Sequence, residues 1–258
     1  MSGLMIWCTC AEDNKRKYLK RVAHWYEQIN TVFGKFKPDC YVFVDGVIAE
    51  QDKIAGPIFV NLTPKLGRSS VDVFPGWKRS LKAALQHGRA YKYVIHIEND
   101  VKILNTDKIF QYMKEPGMYV GVCKKYGFIE TAFMILNDRD VNRRIVAHYS
   151  DENNLYEHEF AEEVISRIAG KACNLVFDTD RMEDPDRFNP NYDFVCQYAY
   201  EPTEKRQTMS ETCKTCVFYD PVDDLTFWCD VHGACTTDNL RPCSRYIPTD
   251  DAKKEEEP

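Results

Sequence analysis

Short apolar runs alternate, over the first 180 residues, with stretches in which apolar residues recur every three or four positions. Leu4 to Cys8 is the first run. From Asn14 to Phe33 the residues Tyr18, Val22, Trp25, Ile29 and Val32 fall on one helical face, and Gly34 ends it. Cys40 to Val44 predicts a second strand, closed by Asp45-Gly46. A loop holding Pro57, Pro64 and Gly67 leads to a helix from about Gly76 to Gly88, started by Pro75, with Trp77, Leu81 and Leu85 on one face. Tyr93, Val94, Ile95 and Ile97 form a third buried run, broken only by His96. Strands at Tyr119–Cys123 and Ile129–Leu136, helices near Asp140–His148 and His158–Ala169, the second closed by Gly170, and a strand at Asn174–Phe177 complete the series. This alternation predicts an α/β fold, a mainly parallel sheet flanked by helices on both faces.

Composition narrows the class. With 258 residues and 44% hydrophobic content the chain can bury a large core and carry a small appendage. No apolar run approaches the roughly 20 residues of a membrane span. The opening MSGLMIWCTCAEDNKRK passes from an apolar strand into charges without a signal-peptide pattern, so a cytoplasmic protein is expected. Eleven cysteines, an odd number, with Cys8, Cys40, Cys123 and Cys173 in apolar segments, suit a reducing compartment. Half of the net charge of −6 comes from the last ten residues, TDDAKKEEEP, which hold five acids and two lysines and are expected to be disordered. What remains gives no global basic signature of a dedicated nucleic-acid binder. The local groups Lys35/Lys37, Lys78/Arg79/Lys82, Lys124/Lys125 and Arg139/Arg143/Arg144 read as solvated faces.

Candidate chemistry begins where the Tyr93 strand stops, at Glu98-Asn99-Asp100. In open α/β sheets ligands sit beyond the carboxyl ends of the strands. Two carboxylates one residue apart can there hold a hard divalent cation, which can grip a diphosphate. A polar turn would place acids at a strand end as well.

Taken with the strand–helix–strand unit Met5–Gly46, the helix GWKRSLKAALQHG before the acidic strand and the later strand FIETAFMILN, this motif resembles the GT-A class of nucleotide-sugar-dependent glycosyltransferases. The resemblance covers roughly residues 4 to 200 and is one of fold. It implies an Asp-x-Asp-type site with Glu98 in place of the first Asp, Mn²⁺ or Mg²⁺ on Asp100, and Glu98 ligating through water or holding sugar and ribose hydroxyls. It further implies that Asp45 contacts the base or ribose, although an Asp-Gly pair also makes a turn on its own. Thr9, Cys10 and Ala11 would line the same pocket, and Arg79 or Lys82 would reach a phosphate. An inverting reaction needs a carboxylate base, for which the late helix offers Glu159 ahead of Glu157, with Asp151 weaker. Acids at a helix start are also stabilised by its dipole alone. His96 and His148 read as locally hydrogen-bonded histidines rather than ligands.

Beyond the polar stretch Glu201–Glu211 a second signal appears. Cys213, Cys216, Cys229, Cys235 and Cys243 fall within 31 positions, with His232 among them. A CxxC pair offers two thiolates from one tight turn, and a segment this poor in apolar residues needs a metal centre to fold. Cys213, Cys216, Cys229 and Cys243 resemble the ligands of small high-potential-type [4Fe-4S] modules, whereas Cys213, Cys216, Cys229 and His232 would make a zinc site that leaves Cys235 and Cys243 idle. The expected organisation is therefore a glycosyltransferase domain over 1–205, a cysteine-rich Fe-S or zinc module over 206–248 and an acidic tail over 249–258.

A metal-dependent glycosyltransferase taking a nucleotide-sugar donor is the leading reading, with a glycan or nucleic acid as acceptor. Phe218, Tyr219, Phe227 and Trp228 with Lys214, Arg241 and Arg245 around the cysteines would suit nucleic acid such as a modified DNA base. Surface polysaccharide or lipid-linked glycan synthesis, nucleotidyl transfer and a non-enzymatic binding role are the alternatives. The module yields a direct prediction: protein purified without oxygen is brown and contains iron, and C213S/C216S removes both. Colourless protein with one zinc would instead identify the histidine-containing ligand set.

Overall fold

The computed structural model describes residues 2–11, 15–69, 73–123, 129–181 and 189–197, and the backbone of 219–221, 226–229 and 233–236. Cys213, Cys216, His232, Cys243, Lys124/Lys125, Lys214, Phe218, Arg241, Arg245 and the tail lie outside the described residues, while Ala11, Cys123, Tyr219, Phe227, Trp228, Cys229 and Cys235 are described in backbone only. The chain divides into two units, Met1–Tyr200 and Glu201–Pro258.

In the first unit the chain runs β1 (Ser2–Ala11), α1 (Lys15–Phe33), β2 (Asp39–Asp45), β3 (Ile58–Leu62), α2 (Pro75–His87), β4 (Tyr91–Ile97), β5 (Lys102–Ile103), α3 (Asp107–Tyr112), β6 (Met118–Cys123), β7 (Ile129–Leu136), α4 (Arg139–His148), α5 (Ala161–Ala169), β8 (Cys173–Arg181) and β9 (Phe194–Cys196). The nine strands form one sheet in the order β3-β2-β1-β4-β7-β6-β8-β9-β5. Pairing is parallel for β3/β2/β1/β4 and for β6/β8/β9, whereas β7 runs antiparallel to both β4 and β6, and β5 antiparallel to β9. In the second unit β10 (Tyr219–Pro221), β11 (Thr226–Cys229) and β12 (Gly233–Thr236) make a three-stranded antiparallel sheet.

Side chains that alternate along a strand feed two cores. From β1, Leu4, Ile6, Cys8 and Cys10 join Val22, Trp25, Ile29 and Phe33 of α1 and Ile109 of α3 on one face. On the other, Met5 and Trp7 join Leu81, Ala84 and Leu85 of α2, Val141 and Ile145 of α4, and Val164 and Ile165 of α5. This is the three-layer packing expected of strands buried on both sides.

Two elements depart from expectation. The Ile58–Leu62 segment, read as loop, is an edge strand whose burial is slight, which leaves it little apolar patterning. The late helix opens at Ala161 and not at His158, so Glu157 and Glu159 precede it, and Glu162 and Glu163 occupy its first turn. The physical reason is local: the backbone is extended at Glu157 (ψ 136°) and again at Phe160 (ψ 141°), so helical dihedrals begin only at Ala161.

Topology also fixes where chemistry can gather. β1, β2, β4, β6 and β8 end on one edge, and because β7 is reversed its first residues arrive at that same edge. Of the core side chains, Phe133 of β7 is fully buried, stacked on Phe194 at 4.8 Å and edge-on to Phe177 at 5.3 Å. Phe133→Ala is expected to cost about 3–5 kcal/mol of unfolding free energy, read by chemical denaturation.

Candidate active site

At the carboxyl edge, Glu98 directly follows β4 and turns inward. Thr9 Oγ1 donates to it at 2.7 and 2.9 Å from the end of β1, Thr9 N at 3.4 Å, and Trp77 Nε1 at 2.6 Å from the first turn of α2. His96 Nε2 stands 3.1 Å from Glu98 Oε1. The His96 Nδ1 lies 2.9 Å from the Thr131 carbonyl of β7; a carbonyl only accepts, so Nδ1 carries the proton. The imidazole is wholly buried between Trp7, stacked at 4.0 Å, and Trp77. Burial pushes the Glu98 carboxyl up, but His96, Thr9 and Trp77 together outweigh it and hold it below the usual glutamate range. Both oxygens thus accept at least one hydrogen bond.

The next two residues differ. Asn99 is buried and donates from Nδ2 to the Thr9 carbonyl at 2.6 Å, locking the end of β1 to the turn after β4. Asp100 keeps 27% of its side chain exposed and meets Arg21 of α1 at 3.9 Å, outside hydrogen-bond range. Desolvation first, then the charges of Glu98 and Glu130 against the pull of Arg21, push its carboxyl up to about 6. Of the motif's two carboxylates, Asp100 is the more exposed. Among the described residues no three His, Cys, Asp or Glu side chains converge to hold a metal ion. A cation at Asp100 would therefore take its remaining ligands from water and substrate oxygens, as Mg²⁺ commonly does with phosphates.

Asp45 and Arg79 are committed to one another. Arg79 Nη2 donates to Asp45 Oδ1 at 2.5 Å and to the Leu62 carbonyl at 2.7 Å, while Nη1 donates to the Pro64 carbonyl at 2.5 Å. The amides of Leu66 and Gly67 complete the cradle around Asp45 at 3.1 and 2.6 Å. The pair fastens the loop after β3 to α2. Gly76 is required beneath it, since a Cβ there would come within 2.2 Å of Asp45 Oδ2. Cys10, at the end of β1, faces the α1 core, where burial pushes its thiol up to about 12; Ala11 pairs with Asp45 in the β1/β2 register.

A second charged group, unread in the sequence, lies on the same edge. Glu130 of β7 is buried and accepts from Arg181 Nε of β8 at 2.9 Å. Arg181 Nη2 also reaches Glu162 Oε1 of α5 at 3.3 Å, and Thr131 Oγ1 donates to that oxygen at 3.2 Å. Desolvation, with Glu130 adding to it, raises the Glu162 carboxyl despite Arg181 and Thr131. Glu159 is tied to Arg167 at 2.8 Å, and Glu157 lies 3.4 Å from His148 Nε2. An acid inside the apolar run FIETAFMIL was the available sequence signal for Glu130.

No family model and no curated protein matches the chain. Among solved structures, galactosyltransferase LgtC in complex with donor and acceptor sugar analogs matches with a TM-score of 0.50 at 11% identity, over 81% of this chain and 90% of that one. A glycosyltransferase involved in glycosylation of the major capsid of PBCV-1 matches with 0.47 at 11% identity, over 76% and 94% of the two chains. Mouse xyloside xylosyltransferase 1 matches with 0.46 at 7% identity, over 78% and 99%. The likeness to LgtC is one of fold: the first unit has the sheet and helix layers of a GT-A glycosyltransferase.

Asp100 gives a test of sign. Its carboxyl binds a proton more tightly in the fold, about 6, than the roughly 3.9 of an unfolded aspartate, so its contribution to stability is intact below pH ~4 and lost as pH rises to 6. In metal-free buffer at pH 7.5 Asp100→Asn is expected to raise the unfolding free energy by about 1–2 kcal/mol, and the gain should vanish below pH ~4. Thermal melts across that range, with chelator present, measure it.

Proposed function

We propose that the chain transfers a sugar from a nucleotide-sugar donor to an acceptor hydroxyl. The observation that carries this reading is Asp100, a half-buried carboxylate raised to about 6, at the end of β4 on the carboxyl edge of a GT-A-type sheet. A carboxylate held at such a cost in folding energy is characteristic of functional sites. Mn²⁺ or Mg²⁺ bound at Asp100 would supply neutralisation of charge on the departing diphosphate.

The chain's own residues then divide the work. Thr9, Trp77 and His96 fix the rotamer and ionisation of Glu98, so that it presents a constant negative field at the crevice floor. Asn99 holds the Thr9 strand end at one distance from the motif. Asp45 and Arg79, whose sequence pattern suggested direct contacts to the donor, shape the pocket wall through the loop after β3. In an inverting reaction Glu162, whose carboxyl is raised although Arg181 stands 3.3 Å away, joins Glu159 as a candidate to take the acceptor's proton. We assign the unit over 1–205 to this chemistry and residues 206–248, on cysteine spacing, to a structural metal or cluster centre. Among the described residues no helix is long and apolar enough to cross a membrane. The thiols of Cys8, Cys10, Cys40, Cys173 and Cys196, which form no disulfide, support a reducing, cytoplasmic setting.

The test is turnover. UDP-glucose, UDP-galactose, UDP-N-acetylglucosamine, UDP-xylose and GDP-mannose are each incubated with protein and Mn²⁺, and release of nucleoside diphosphate is followed. At least one donor should be consumed, chelator should stop it, and Asp100→Ala should lower the rate by about 10²-fold or more while leaving the fold intact. Consumption of none of these donors, or an unaffected Asp100→Ala, would rule the proposal out.

A further inference from the structure

At the amino edge of the sheet, where β4 begins and β7 ends, a cavity of about 490 Å³ opens between the end of α2 and the start of α4. The length of β4 separates it from Glu98, roughly 20 Å at about 3.3 Å per residue. Leu85, Val94 and Leu136 are buried and line it, so its floor is apolar. Its walls are fixed in advance of any ligand. Asn137 accepts from the Val94 amide at 3.0 Å and donates to the Met113 and Glu115 carbonyls at 2.9 and 3.0 Å, and Asn142 donates to the Leu136 carbonyl at 2.8 Å. Gly88 brings the end of α2 so close to β4 that a Cβ there would stand 3.0 Å from Val94 Cγ2. A cavity of this size with preset walls is of the class that takes a small molecule.

Charge selects the kind of molecule. Arg89, Lys92, Arg139 and Arg143 line the cavity against a single carboxylate, Asp140, although the chain as a whole carries a net charge of −6. Asp140 is taken by Arg143 of its own helix, and Arg89 and Lys92 form no ion pair among the described residues. Lys92 rests over the Tyr93 ring at 5.0 Å, a neutral partner that leaves its charge in place. The four cations come from two segments far apart in sequence, so no single solvated helix face accounts for their meeting. Asp138 already caps α4, accepting from the Asp140 and Val141 amides at 2.9 Å each, which leaves the side-chain cations as the donors for a ligand. Guanidinium forks match phosphate oxygens two at a time, and an ammonium adds a point charge. Exposed cations gathered over an apolar floor suit a compact ligand, whereas a nucleic-acid backbone needs them strung along an open groove.

We propose that the amino-edge cavity binds a small molecule bearing two or more phosphate groups, held by Arg89, Lys92, Arg139 and Arg143. The site stands apart from the carboxyl edge and does not depend on the glycosyl-transfer reading.

Binding to the full chain is measured by titration calorimetry at low salt with chelator present, using pyrophosphate and fructose 1,6-bisphosphate, with sulfate and a short DNA duplex for comparison. At least one of the two phosphate compounds should bind about tenfold or more tightly than sulfate. Arg89→Gln/Lys92→Gln and, separately, Arg139→Gln/Arg143→Gln should each weaken that binding by about tenfold or more at an unchanged melting temperature, and Arg139→Lys/Arg143→Lys should weaken it less than the glutamine pair. Asp100→Ala should bind as the wild type does. Binding no tighter than that of sulfate, or a Kd within twofold of wild type in either glutamine variant, overturns the site. Tighter binding of the duplex than of both phosphate compounds, lost in the same variants, overturns the small-molecule assignment. Loss of binding in Asp100→Ala would move the ligand to the carboxyl edge and overturn the proposal as well.

Discussion

One carboxylate holds the carboxyl edge of the sheet together. Glu98 receives hydrogen bonds from Thr9 of β1 and Trp77 of α2 and the contact of His96, which is itself fixed to Thr131 of β7. Four elements, β1, α2, β4 and β7, are tied at a single group. A charge this enclosed is tolerable only because donors surround it, and removing one would leave the rest around an undercompensated anion. The two acids of the motif differ in this respect: Glu98 is held by several donors, and Asp100, two residues on, is more exposed and has only Arg21 nearby at 3.9 Å.

The same division runs through the rest of the edge. Asp45, Arg79 and Gly76 are absorbed in fastening a loop, and a buried ion pair with this many backbone partners gives geometric definition more than net stability. On the far side, Glu130, Arg181 and Glu162 leave a carboxyl with a raised affinity for protons. Charged groups on this edge are thus distinguished by how completely each is satisfied.

Much of this was legible from sequence because periodicity reports burial. The runs of β1, β2, β4 and β7 and the faces of α1 and α2 declare themselves, since each is buried on a defined side. The edge strand β3 carries almost no such signal. The acidic strand end was readable at Glu98 and Asp100, but not which of them would be saturated, because Trp77 looks like one more member of an apolar stripe. Glu130 and Arg181 are 51 residues apart, and Arg181 lies beyond the expected end of its strand. Only the reversal of β7 brings them together, and no local pattern encodes that reversal. The late acids were read one turn too early, since the backbone stays extended through Phe160, which no apolar periodicity reports.

Trp77 and Lys78 are adjacent in the first turn of α2, and their side chains are fastened in different places, one to Glu98 at the crevice floor and the other to the backbone beside Tyr156. A helical turn is stiff, so these two anchors behave as the ends of a short lever. Any displacement that strains one is felt at the other within a single peptide unit. The acidic strand end and the backbone at Glu157 are mechanically one part.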